Sequence, residues 1–478
     1  MAYGPDGSRY PQATPGSARP GATSRPMPAR PRPVPHPVFE QERAAVQEPD
    51  ARVTRASGVR ADSASTAVTA GPGANARMRP PGERVNRRKG KKPRRGRKPG
   101  KVITRGKRLR RRLLWRPLLA VFVLLLGYVG VTIEPYLTYP SSDTISARVA
   151  EWGRDHHLSG LVTWLENETY QAPPVGGKLS SQQIQALQGA TVAPSAAAAE
   201  DLPADIPPLA AGSVPDEGVW HPVVFDAHHV PVVEWAGLRP DAQHTSELAY
   251  VAWMNQKALR FQLHPGSQQP GGTFPTADEI PPGQRTGLVA TWNGGFKVKP
   301  NDSFGGYYED GRMVRALVDG KASEVFYRDG SIKIGAWGRD VTMTSQVVGV
   351  RQNLSLLVDN GQVTAATTSG SGAQWGVTVN NAFFVPRSEV GVTASGDVVY
   401  AGGPALSVLS LADLLRQAGA VDAMELDINS AWTSYMYYTV PGGGDPADPT
   451  PTRLWDFVQP ATRYYQPGSR DFVAVYLR

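Results

Sequence analysis

One junction divides this chain. Arg84 to Arg116 holds 18 Lys or Arg and no acid, and the 17 residues that follow, Pro117 to Ile133, carry no charge. With Leu113 to Trp115 added, the apolar run reaches the ~20 residues a helix needs to cross a hydrocarbon layer, and Arg116 can snorkel to its edge. Positive charge just before a span predicts a cytoplasmic N-terminus, with everything beyond Glu134 outside. The region before the span is too long for an ordinary signal peptide, and no small-x-small cleavage pattern follows closely. An uncleaved anchor over 113–133 is therefore favoured.

The net charge is +9, so removing the 18 charges of the basic tract leaves −9 for the rest. The high pI thus describes one tract and not the folded part. Lying against a span, that tract is expected to sit on anionic inner-leaflet lipid, and nucleic acid is not an expected partner. Residues 1–112 are rich in Pro, Gly, Arg, Ala and Ser with few large apolar side chains. They cannot bury enough surface to offset their ordering entropy, which predicts a disordered cytoplasmic tail. The 478 residues include no Cys, so an exported domain must stand on its core alone, without disulfide or thiolate-metal chemistry.

Residues 134–214 read as a membrane-proximal helix or helix pair followed by an Ala/Pro-rich linker. Ile145, Val149, Trp152, Leu158, Leu161 and Trp164 recur at helical spacing. Residues 215–478 turn often and alternate in short runs, with hairpin signals at Asp329-Gly330 and Asn360-Gly361. One strong helix pattern stands out, LADLLRQA at Leu411 to Ala418, with Ser410 as N-cap, Asp413 in the capping-box position and Gly419 as stop. The expectation is a β-rich α+β domain with few helices.

Three segments could carry chemistry. LVATWNGGF delivers Asn293 into Gly294-Gly295, where the backbone can approach a ligand closely; a tight turn capped by Asn reads equally well. Arg351 precedes the strand LSLLVD, and its fork suits phosphate or carboxylate as well as a surface ion pair. AMELDINS puts Glu425 and Asp427 on one strand face roughly 7 Å apart, with Asn429 and Ser430 just beyond. Such a pair serves acid/base work, cation binding or a structural ion-pair cluster. The His residues lack metal-ligand spacing, and no nucleophile elbow, P-loop or dinucleotide fingerprint occurs.

Taken in order, ATWNGGF, LSLLVDNGQ and LSVLSLADLLRQAGAVDAMELDINSAW resemble the phosphodiester glycosidase family. That resemblance implies a hydrolase acting at the anomeric centre of a sugar 1-phosphate ester, here in cell-envelope glycan or a phospho-sugar polymer. From the residues themselves, Asp427 would be the acid/base or nucleophilic carboxylate, with Glu425 as its catalytic partner or the residue that raises its pKa. Asn293, Gly294, Gly295, Arg351, Asn429 and Ser430 would be substrate-binding. No cofactor is assigned, and a divalent cation bridging Glu425 and Asp427 to phosphate is a candidate. Departures are visible: the family's glycine run after Leu-Asp is absent, position 425 is acidic, and Gln374-Trp375-Gly376 stands where an Arg is usual. These keep open ordinary glycoside hydrolysis on the same fold, or a non-catalytic glycan-binding domain.

Overall fold

The computed structural model describes residues 105–189, 202–298, 304–369, 374–376, 378 and 383–478. The expected disordered tail lies outside the described residues, apart from 105–112. A 34-residue helix, Arg105–Thr138, opens the described part. Its stretch Trp115–Thr138 is long and apolar enough to cross a membrane, and Leu118, Leu119, Phe122, Leu124 and Val131 are each more than half exposed. Two short helices follow, Ile145–Asp155 and Ser159–Thr169, the pair that the spacing suggests.

The domain is β-rich. An antiparallel eight-stranded sheet runs in the order His221–Phe225, Pro231–Leu238, Ala249–Met254, Val398–Leu406, Val385–Thr393, Ala420–Glu425, Leu356–Asp359, Gln362–Val363. One five-stranded sheet contains Leu288–Asn293 between Tyr435–Thr439 and Phe472–Leu477. Another contains Val347–Gln352 between Tyr307–Glu309 and Ala322–Tyr327. Both hairpin signals are realised; at the second, Asn360 and Gly361 take positive φ (50° and 76°), as a type I′ turn requires.

Side-chain alternation explains the layers. Along Ala249–Met254, Ala249, Val251 and Trp253 join the cluster under the helix Val408–Gln417, while Ala252 and Met254 join the core shared with the smaller sheets. Both faces are covered, so these strands lack the polar alternation of a half-exposed sheet.

The helix begins one turn earlier than expected. Ser407, not Ser410, is the N-cap; Ser410 occupies the third helical position and returns a hydrogen bond to the Ser407 N–H at 2.9 Å. Ser therefore fills the place of the expected acid, and the earlier start buries Val408 along with Leu411, Leu414 and Leu415. Described parts of the linker pack on the domain: Leu187 of the helix Ser181–Leu187 and Ile206 are both buried in apolar clusters.

Candidate active site

The sheet ends carrying Asn293, Gln352 and Glu425 converge, and a buried polar frame ties them together. Asn293 donates to Ser388 Oγ at 3.0 Å and to Gly294 O at 2.9 Å, and accepts from Ser434 N–H at 2.9 Å and Tyr400 OH at 3.1 Å. Ser388 Oγ donates to Asp427 O at 2.9 Å, and Asn353 Nδ2 donates to Glu425 O at 2.7 Å. Asp427 N–H donates to Gly294 O at 3.2 Å. Asn293 thus spends its amide holding neighbouring strands in place. The two glycines serve the same close approach: a Cβ on Gly294 would stand 2.1 Å from Asp471 Oδ2, and one on Gly295 2.9 Å from Asn353 Cγ.

Arg351 is buried and fully committed. Its Nε donates to Asp471 Oδ2 at 2.7 Å, its Nη1 to Gln352 O at 2.8 Å, and its Nη2 to Phe296 O. Glu425 lies directly opposite Glu389 in the ladder, and both are fully buried. Arg387 Nη1 reaches Glu425 Oε1 at 2.5 Å. Burial, countered by Arg387, pushes the Glu425 carboxyl up to about 7.

Asp427 differs. It lies just past the end of its strand, where Oδ1 accepts the Asn429 N–H at 3.0 Å and Oδ2 is 4.0 Å from Arg470 Nη1. Burial raises its pKa, with Arg470 and the Asn429 and Ile428 N–H groups opposing, so it is more basic than a free Asp. That is the direction that suits a general base. Arg470 stacks 4.5 Å over Trp432 and donates to Glu151 Oε1 at 2.7 Å; Lys297 Nζ is 2.9 Å from the same oxygen. Asn429 is half-buried and turns the chain by accepting the Ala431 N–H at 2.9 Å. Ser430 is exposed and lines a cleft of about 430 Å³ with Arg453, Trp455 and Phe457.

The structure therefore gathers Asn293, Gly294, Gly295 and Arg351 behind Asp427 as its support, and places Glu425 beneath the helix in a separate ion pair. Sequence reasoning missed Arg470, Lys297 and Glu151. Lys297 follows the Gly-Gly-Phe turn by one residue and could have been read from that position; Arg470 and Glu151 belong to no motif. Among the described residues, no group of three or more His, Asp or Glu is placed to hold a metal ion.

The buried carboxyls carry a pH consequence. Glu324, fully buried beside Arg351 and Asp471, is pushed up to about 8 by burial and then by the Asp471 charge, from an ordinary 4.5. It holds a proton when folded that it releases when unfolded. Its contribution to stability is complete below about pH 4.5 and is lost as pH rises through 8. Thermal melts should therefore fall between about pH 5 and pH 8 and level off above it, with a shallower slope in Glu324→Gln. A variant slope as steep as the native one would show that Glu324 is not the group titrating.

The family model for phosphodiester glycosidases matches residues 286–446, a stretch that includes Asn293, Arg351, Glu425 and Asp427. The resemblance read from the three motifs is thus shown over that stretch, and it supports glycosyl phosphodiester hydrolysis as the general class of activity. Among solved structures, the chain is similar to the catalytic domain of zebrafish N-acetylglucosamine-1-phosphodiester alpha-N-acetylglucosaminidase, auto-inhibited by its pro-peptide. That match has 12% identity, covers 54% of this chain and 87% of that one, and has a TM-score of 0.35. A hypothetical protein from Synechocystis is also similar, at 12% identity over 52% of this chain and 62% of that one, with a TM-score of 0.30. No curated protein matches the chain.

Proposed function

We propose that this chain is a membrane-anchored hydrolase of a glycosyl phosphodiester in cell-envelope glycan or polymer. The apolar helix would be its anchor and the β-rich domain would work outside. Asp427 is its catalytic carboxylate, acting on the bond between the anomeric carbon and the phosphate oxygen. Water adds to the sugar, and a phosphomonoester leaves.

The observation that carries this reading is that Glu425 and Asp427 do not work as a pair. Glu425 is held by Arg387 beneath the helix, whereas Asp427 stands at the strand end beside Arg470. Ordinary glycosidases pair two carboxyls because a sugar alkoxide, about as basic as hydroxide, must be protonated as it leaves. A departing phosphomonoester has a conjugate acid of pKa about 6 and needs no such acid. A nearby cation is enough to neutralise its charge, and Arg470 supplies one without a metal.

The test uses the full-length protein in detergent with a panel of sugar 1-phosphodiesters and the matching alkyl glycosides. Sugar should be released from the diesters, with alkyl glycosides at least ~100-fold slower, the lower range of what a missing general acid costs. Comparable rates on both would make it an ordinary glycoside hydrolase. Binding of either class without turnover would make it a glycan-binding domain.

A further inference from the structure

We propose that Arg470 and Lys297 form the phosphate subsite of this enzyme, and that Glu151 is an internal ligand occupying it. The inference rests on the phosphodiester reading above and adds the place where the anion binds.

Two cations converge on one carboxylate here. Arg470 Nη2 and Lys297 Nζ lie 2.7 Å and 2.9 Å from the same Glu151 oxygen, and Asp155 adds a contact to Lys297 at 3.6 Å. The Arg470 side chain is only 8% exposed and that of Lys297 14%. Desolvation and the neighbouring Arg470 lower the Lys297 pKa, against the pull of Glu151. Cations so desolvated and so close together call for an anion between them. The Arg470 plane is fixed by the Trp432 face, and its other terminal nitrogen points within 4.0 Å of Asp427 Oδ2. An anion bound in place of Glu151 would therefore lie one guanidinium width from the catalytic carboxylate.

The bound carboxylate comes from elsewhere in the chain. Glu151 sits on the helix Ile145–Asp155, on the N-terminal side of the stretch that the family model matches, and Arg470 lies beyond its C-terminal end. A phosphodiester carries one negative charge, as Glu151 does, and can set an anionic oxygen between the guanidinium and the ammonium as Glu151 Oε1 does. The two must compete for Arg470 and Lys297. Glu151 makes these contacts although burial alone would raise its pKa; Arg470 and Lys297 override that and lower it.

The test measures anion binding, which needs no turnover. Full-length protein in nanodiscs is titrated with diethyl phosphate by calorimetry, as native, Glu151→Gln and Glu151→Gln/Arg470→Gln. The single variant should bind at least ten-fold more tightly than native, and the double variant should lose that gain. Equal affinity in native and Glu151→Gln proteins would overturn the proposal. A second readout guards against misfolded variants: in the native protein, saturating diethyl phosphate should speed amide exchange across Ile145–Asp155. Unchanged exchange there would also overturn it. If the anion binds as expected but no sugar phosphodiester is cleaved, the subsite stands and the reaction assignment fails.

Discussion

Asp427→Asn should lower kcat on a sugar 1-phosphodiester by ~10³-fold or more, because the change removes the group proposed to act on the reacting carbon. The fold should survive. The amide oxygen can still accept the Asn429 N–H, and the backbone contacts to Gly294 and Ser388 are untouched. KM should change little, since Arg470 keeps its charge and its seat over Trp432. Glu425→Gln provides the contrast. Its partner is Arg387 and its surroundings are the underside of the helix, so its loss should appear in stability, with kcat per folded molecule changing by less than ~10-fold. If the two variants fell equally in kcat at matched stability, the two-carboxylate mechanism would return. Steady-state rates beside thermal melts separate these cases.

Arg351→Met should be the most destabilising single change in the frame, at about 3–5 kcal/mol, because it leaves Asp471 buried without its cation. Two backbone carbonyls, Phe296 O and Gln352 O, lose a donor as well. At roughly 2–4 °C per kcal/mol for a domain near this size, the melting temperature should drop by about 10 °C. Arg351→Lys should rescue little, since an ammonium cannot reproduce the fork that serves Asp471 and both carbonyls. A melt unchanged by Arg351→Met, with weakened phosphate binding instead, would restore Arg351 as a substrate ligand.

Much of the architecture is legible in the sequence because local signals are strong there. The 17 uncharged residues after the basic tract, the Asp-Gly and Asn-Gly turns and the Leu411 to Ala418 periodicity each carry their own physics. Central strands such as Val385–Thr393 and Phe472–Leu477 are harder to read, because burial on both faces erases alternation. Within the site, residue types were legible but commitments were not. Nothing local distinguishes an Arg that faces a ligand from Arg351, whose partner Asp471 lies 120 residues away. Glu425 and Asp427 share a strand face by spacing, yet the strand stops between them and their partners differ. Arg470 and Glu151 meet across 319 residues, a pairing that only the fold reveals.

The short join between the apolar helix and its neighbour has a geometric consequence. Only Tyr139 to Thr144 separate Thr138 from Ile145, a reach of ~20 Å even fully extended. Trp152 shortens it further by donating to Thr132 Oγ1 at 3.1 Å, one residue away from the Glu151 that holds Arg470. With the helix anchored as proposed, the catalytic centre is confined to a thin layer and searches an area, not a volume. A polymer tethered to the same surface meets it at high effective concentration, whereas a freely diffusing fragment of identical chemistry gains nothing from the arrangement.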